Sequence, residues 1–420
     1  MLTIKHHSLR MLAVPIGYLM VVLVLPALAQ DSTPVEVVPI VEDRVEGIVI
    51  EPLLEDEDYP PNEEGVTEKS EGWEISVMVS AAYDDNVFLS SSDAEQDMVF
   101  EMVPAVAYSK GDDEKGVGAF VAAGYRPTLV FYAENDSDRR IDHEALLLVG
   151  WRGRVTTLTY EGKARVLGDS TAETGRPTDR FETENEVRFG WAPREKVKWE
   201  GALGYEARDY ADSFYFDSSK MYGEVALRFA YSPKTELGAA YQVGRFEVEG
   251  SGPQTTNQVT GWLRWQPREK IRVNLEAGLE HRDFDRGSDM NPVFAGRIDW
   301  QLRKETAVYV TAYMRQETSS FYAGQNYAVK GVTGGFSQRL GSDWTLSVDG
   351  GYETNDFEQV SGTGGAERED RLWFIRPALV WRINGETDLA FFYRISDNQS
   401  SDPGFGYERQ MIGVRLEHKF

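Results

Sequence analysis

Three histidines follow residue 30, and they set how much acid-base chemistry this chain could do: His143, His281 and His418. A hydrolase needs a base, a nucleophile and an orienting group together. His143 stands beside Glu144, which on a strand would point to the opposite face. His418 alternates with apolar residues of the last segment, which suits an interfacial position. His281 and Asp283 would share one strand face as a His-Asp dyad, although two polar residues standing in water at a strand end are the simpler account. No enzyme is expected.

The same stretch offers oxygen ligands, Asp283, Asp285 and Asp289, spaced around Gly287. Alternate oxygens near a permissive glycine suit a hard cation such as Ca²⁺, while Arg286 and the missing terminal Glu depart from the hand-type loop. No other cofactor is expected. With no cysteine in the chain, disulfides and thiolate metal sites are excluded. Phe214, Tyr215 and Phe216 form an aromatic loop cluster that could stack on sugar rings or anchor at a membrane interface, and the second is preferred.

A row of charged residues is more informative. Arg188, Arg228 and Arg297 each precede an aromatic residue, Trp191, Tyr231 and Trp300, by three positions. On a strand that odd offset places arginine and ring on opposite faces. Arg264 and Arg376 have the same parity against Trp265 and Trp381, at other odd offsets, and Arg394 and Arg415 alternate with apolar neighbours. With Glu200, Glu276, Asp299 and Asp349, these are the candidates to line a pore. Two outcomes are open. The arginines either pair with neighbouring acids or stay partly unpaired and attract anionic, uronate-like sugars.

What would position them is a set of strands. Ile271, Val273, Leu275, Ala277 and Leu279 alternate with polar residues or glycine, as do Trp344, Leu346 and Val348. Short breaks recur near Lys110, Trp151, Ala192, Ser232, Gln266, Arg303, Arg339 and Ile383, several with proline to fix a tight turn. Eight tight turns join sixteen strands. An opening strand from Trp73 to Phe88 and a closing one from Tyr407 to Phe420 make eighteen, the even count of an outer-membrane barrel.

Trp151, Trp191, Tyr231, Trp265, Trp300 and Trp381 all adjoin the short turns and so form one interfacial belt. Tyr210, Phe246, Phe284 and Phe357 near the opposite ends suggest a second. The fold class is therefore all-β: a transmembrane antiparallel β-barrel of about 18 strands, spanning residues 72–420.

Ahead of it, residues 1–29 read as a signal peptide, with Lys5 and Arg10, an apolar run from Met11 to Leu25, and Ala27-Leu28-Ala29 before Gln30. Residues 30–71 hold fourteen acidic against two basic residues and five prolines, a composition expected to stay flexible on the periplasmic side. A formal charge of -25 argues against a nucleic-acid partner. The short connections look too small to plug the lumen.

The final segment alternates Ile412, Val414, Leu416, His418 and Phe420, and resembles the carboxy-terminal signal read by barrel assembly machinery. The opening segment, Ala81-Ala82-Tyr83-Asp84-Asp85-Asn86-Val87-Phe88, resembles the outer-membrane β-barrel porins whose genes accompany exopolysaccharide secretion loci. That resemblance implies a location in a Gram-negative outer membrane, with lipid around the barrel and a polysaccharide as the transported ligand. It also implies a periplasmic export protein as partner. A diffusion porin and a non-conducting structural or receptor barrel are the alternatives.

Overall fold

The computed structural model describes residues 72–111, 117–135, 139–171, 174, 176–284, 287–357 and 367–420. The signal peptide, the acidic segment 30–71 and Asp285 lie outside them. Among the described residues there are eighteen strands. The first nine are β1 (Gly72–Asp84), β2 (Asp97–Lys110), β3 (Gly118–Tyr132), β4 (Arg140–Arg152), β5 (Thr156–Leu167), β6 (Arg180–Arg194), β7 (Val197–Tyr210), β8 (Ser218–Ser232) and β9 (Thr235–Val248). The second nine are β10 (Gln254–Arg268), β11 (Ile271–Phe284), β12 (Gly287–Arg303), β13 (Thr306–Thr318), β14 (Asn326–Leu340), β15 (Trp344–Phe357), β16 (Arg368–Arg382), β17 (Thr387–Ser400) and β18 (Tyr407–Lys419).

Each strand pairs antiparallel with the next, and β1 pairs with β18, so the sheet closes on itself without an edge. Its polarity is inverted relative to a soluble protein. On β11, Leu275 and Leu279 face outward and are exposed, while Asn274, Glu280 and Arg282 face inward and are buried. Trp73 is 71% exposed, whereas Asp84 is 0% and Arg282 2% exposed. An apolar outside and a charged inside suit a wall with hydrocarbon around it and water within.

Among the described residues, seven turns on one side have two to four residues, and those at 195–196, 233–234, 269–270 and 304–305 have two each. A register shift precedes each of these four, between Trp191 and Arg194, Ala230 and Ser232, Trp265 and Arg268, and Gln301 and Arg303. Pro193 and Pro267 fall in two of the shifts rather than in the turns, where a residue without an N–H costs no ladder bond. Both ends of the barrel chain, Gly72 and Lys419, lie on this short-turn side.

The opening strand is shorter than its sequence suggests, because the chain leaves the ladder after Asp84. Asn86 takes over: its Nδ2 donates to the carbonyls of Ser90 (2.9 Å) and Glu408 (3.0 Å), and its Oδ1 accepts from the Ser90 amide. Val87 then packs with Val99, Val130 and Tyr132, beside Phe88, in a small apolar cluster.

Candidate functional site

The lumenal wall follows from strand parity. Arg188, Arg228, Arg264, Arg297, Arg376, Arg394 and Arg415 occupy the positions between outward apolar residues, as do Glu200, Glu276, Asp299 and Asp349. The arginines that alternate with the belt each meet an acid. Arg188 Nε donates to Glu186 at 2.8 Å, and Arg297 donates to Asp299 from Nε, to both oxygens at 3.0 Å, and from Nη2 at 2.8 Å. Arg376 Nε reaches Asp349 at 2.7 Å, Arg228 bonds Glu200, and Arg264 lies 3.5 Å from Glu236. Arg394 lies over the Phe392 ring at 5.4 Å. Each of the first five guanidinium groups thus has a carboxylate beside it, the paired arrangement of the two outcomes, and presents donors and acceptors together.

More pairs of this kind escaped the sequence reading. Arg140–Asp142, Arg180–Glu182, Glu280–Arg282, Arg315–Glu317 and Arg368–Asp370 all join side chains two residues apart on one strand face. The signal was present as an arginine and an acid separated by one residue, which on a strand makes them neighbours.

The six belt aromatics, Trp151, Trp191, Tyr231, Trp265, Trp300 and Trp381, point outward beside the short turns and are 37 to 66% exposed. Within the same row, Trp344 stacks on Trp381 with ring centroids 5.5 Å apart. Ile412, Val414 and Leu416 share the outward face of β18, and Phe420, one residue past its end, is exposed as well. The second belt is different. Tyr210, Phe246, Phe284 and Phe357 stand at the right height but at inward parity. Phe246 lies under Arg282 at 5.1 Å, and Phe357 under Arg368 at 4.7 Å. The outward rings toward that end are instead Tyr83, Phe100, Phe131, Tyr205, Tyr241, Tyr352 and Trp373.

At the long-loop mouth, three loops meet. Phe214, in the loop 211–217 after β7, packs edge-on against Phe321, in the loop 319–325 after β13, with centroids 5.2 Å apart. Phe321 in turn contacts Phe405, in the loop 401–406 after β17, at 4.9 Å. The backbone joins in, the Phe216 amide donating to the Ser320 carbonyl at 2.8 Å. The first two loops are rooted six strands apart, or ~29 Å along the wall at ~4.8 Å per strand. Contact therefore requires both to lean over the opening.

Tyr215, 1% exposed, locks the arrangement from below: its hydroxyl accepts from Arg176 Nε and donates to the Thr174 carbonyl, both at 3.0 Å. That hydrogen bond holds the Arg176 guanidinium above its ordinary pKa. Close approach is also built into Gly324 (φ +69), where an added Cβ would lie 2.6 Å from Ser251 Cβ. Loops of six or seven residues thus narrow the mouth jointly. The Phe214-Tyr215-Phe216 cluster belongs to this collar and not to an interfacial belt.

The cation site does not assemble from its described members. Asp283 pairs across the sheet with Ser288 and Asp289 with Arg282, so the two carboxylates leave opposite faces of one hairpin. His281 Nε2 does lie 3.2 Å from Asp283, on the outward face, and its Nδ1 lies 3.2 Å from the Asp289 carbonyl. His143 bonds the Tyr125 hydroxyl at 2.8 Å, and His418 bonds Thr387 at 2.9 Å.

A closed eighteen-strand barrel with a charged lumen leaves the question of kinship. Residues 290–420 match the family model described as "Putative beta-barrel porin 2". The match runs from within β12 to the end of the chain. Among solved structures, the barrel is similar to Pseudomonas aeruginosa OpdQ, at 10% identity and a TM-score of 0.47, covering 83% of this chain and 98% of that one. It is also similar to P. aeruginosa OpdK with vanillate and to Acinetobacter baumannii OccAB3. Each is 10% identical with a TM-score of 0.46, covering 83% of this chain and 99% of the other. A search of curated proteins finds no match. Fold and family match together point to a porin-like outer-membrane channel rather than an enzyme.

Proposed function

We propose that this porin-like barrel takes part in export of a secreted polysaccharide, with the chain termini and short turns on the periplasmic side. The observation that carries the proposal is the collar: rings from loops rooted far apart, with the Arg176 guanidinium against Phe214, converge over an otherwise hydrophilic opening. A polyhydroxylated chain offers C–H faces to aromatic rings and hydroxyls to paired charges, and both kinds of partner are present here. The acidic segment 30–71 supplies a tether for a periplasmic export protein, consistent with its charge and with the short-turn position of Gly72, to which it is joined.

A general diffusion porin would conduct without affecting polysaccharide release, and a structural or receptor barrel would not conduct. Two measurements test the reading. Single-channel recording in planar bilayers should show discrete ionic steps, and cells lacking the protein should release less surface polysaccharide while other outer-membrane uptake is unchanged. Absence of current would leave the structural barrel, and current with undiminished polysaccharide would leave the diffusion porin.

A further inference from the structure

Nine of the ten tryptophans stand on the outward face, and Trp262 on β10 is the one that faces the lumen. Its neighbour across the ladder is Gly238 on β9. A Cβ placed on Gly238 would fall 2.0 Å from Trp262 Cζ2, so the indole occupies the space that a side chain there would fill. The ring consequently rests along the wall, with its other face toward the lumen.

Other inward rings are seated in the same way. Tyr222 covers Gly204 (2.1 Å to the added Cβ), Tyr309 covers Gly335 (2.2 Å), and Phe392 covers Gly413 (2.6 Å). Inward glycine opposite inward aromatic is thus a repeated device for laying rings flat.

Around Trp262 the wall supplies hydrogen-bonding groups on three sides. Arg228, held by Glu200, lies 6.0 Å from the indole centroid, and the Arg264–Glu236 pair lies one inward step along β10 and β9. Glu276 stands directly across from Trp262 on β11.

We propose that Trp262 is a binding subsite for a neutral sugar ring of a polymer in transit. The C–H face of the sugar stacks on the indole, and its equatorial hydroxyls bond to Arg228, Glu236 and Glu276. Two guanidinium groups against three carboxylates favour a neutral residue over a uronate. The inference rests on the polysaccharide reading and adds to it the place and charge of the bound unit.

The test is equilibrium binding by calorimetry to the detergent-folded protein. The probes are maltohexaose, cellohexaose and a β-1,6-linked N-acetylglucosamine hexamer, with hexagalacturonate as the anionic comparison. At least one neutral hexamer should bind, and Trp262→Ala should weaken it about three- to tenfold, the worth of one aromatic contact. Trp262→Phe should keep most of the affinity, and Trp199→Ala, on the outward face, should change nothing. Heat-modifiable migration reports folding of each variant. Equal affinity in Trp262→Ala, tighter binding of hexagalacturonate, or no binding of any neutral hexamer would each overturn the subsite. Binding needs no current, so a subsite can stand where conductance fails, and a conducting channel that binds no sugar loses only the subsite.

Discussion

Asp84 on the first strand accepts a 2.6 Å hydrogen bond from Arg409 on the last, at the seam where the barrel closes. The same carboxylate accepts from the Asn86 amide, and the Asp85 carboxylate accepts from the Gln410 amide at 2.6 Å. The Tyr-Asp-Asp-Asn piece is therefore a clasp between strands more than three hundred residues apart in sequence. Removing one partner leaves a buried charge without its counterion, a loss of about 3 kcal/mol. Asp84→Ala and Arg409→Ala should each lower the temperature at which folded protein converts to the slower-migrating form. A conversion temperature equal to wild type would mean that the backbone ladder alone seals the seam.

The strands were legible because each carries its own signal. Alternation along Ile271 to Leu279 gives both strand and face, and the break at Glu269–Lys270 is marked by adjacent proline and charge. Face assignment succeeded where a residue was counted from a belt aromatic, as with Arg188 and Trp191. It failed for Tyr210, Phe246, Phe284 and Phe357, which were grouped by height along the strand without regard to parity. The collar was not legible at all, since Phe214, Phe321 and Phe405 meet only after the wall has curved round. No local pattern encodes that meeting. The porin-like match begins at residue 290 and leaves the Asp84 clasp to the structure alone.

Phe420 separates assembly from stability. In the folded barrel it is 77% exposed, donates its amide to the Ile75 carbonyl at 2.9 Å and packs edge-on against His418 at 4.6 Å. Deletion removes one backbone bond and one outward ring, a loss of about 1–2 kcal/mol. The amount of heat-modifiable protein in outer-membrane fractions should fall sharply, while the barrels that do form keep a conversion temperature within a few degrees of wild type. Unchanged amounts would show that assembly does not read this residue.

For the acidic segment, limited proteolysis of the purified protein should trim the chain to near Gly72, where the ladder begins, and leave the barrel intact. The trimmed barrel should conduct as before and lose export in cells, if the segment serves a partner. Unfolding on trimming would place part of the segment inside the barrel.

Phe321 is the centre of the collar, within 5.2 Å of Phe214, 4.8 Å of Tyr322 and 4.9 Å of Phe405 by ring centroid. Replacing it with Ala removes these contacts and the one to Tyr215 at 6.4 Å, each of about 0.5–1.5 kcal/mol, from loops that do not contribute to the ladder. Folding should be retained, and single-channel conductance should rise as the loops separate. A conductance equal to wild type would mean that the main barrier to ions lies deeper, among the charge pairs.

Those charge pairs make a signed prediction. Arg188, Arg228 and Arg297 neutralise Glu186, Glu200 and Asp299, so the lumen near the short turns presents dipoles rather than a field of one sign. Changing the three arginines to Gln removes three positive charges, leaving Glu200 with Lys198 and taking the arginine partner from Glu186 and Asp299, and a more negative zone in a narrow aqueous path favours cations. Reversal potential in a salt gradient should move toward the cation limit. Changing the three acids instead, as Glu186→Gln, Glu200→Gln and Asp299→Asn, should move it the opposite way, and the sixfold variant should return close to wild type. The effect should shrink at high ionic strength, because screening at about 1 M salt acts within ~3 Å. If neither triple variant moves the potential at low salt, ions do not pass these residues, and the pairs serve only to hold neighbouring strands in register.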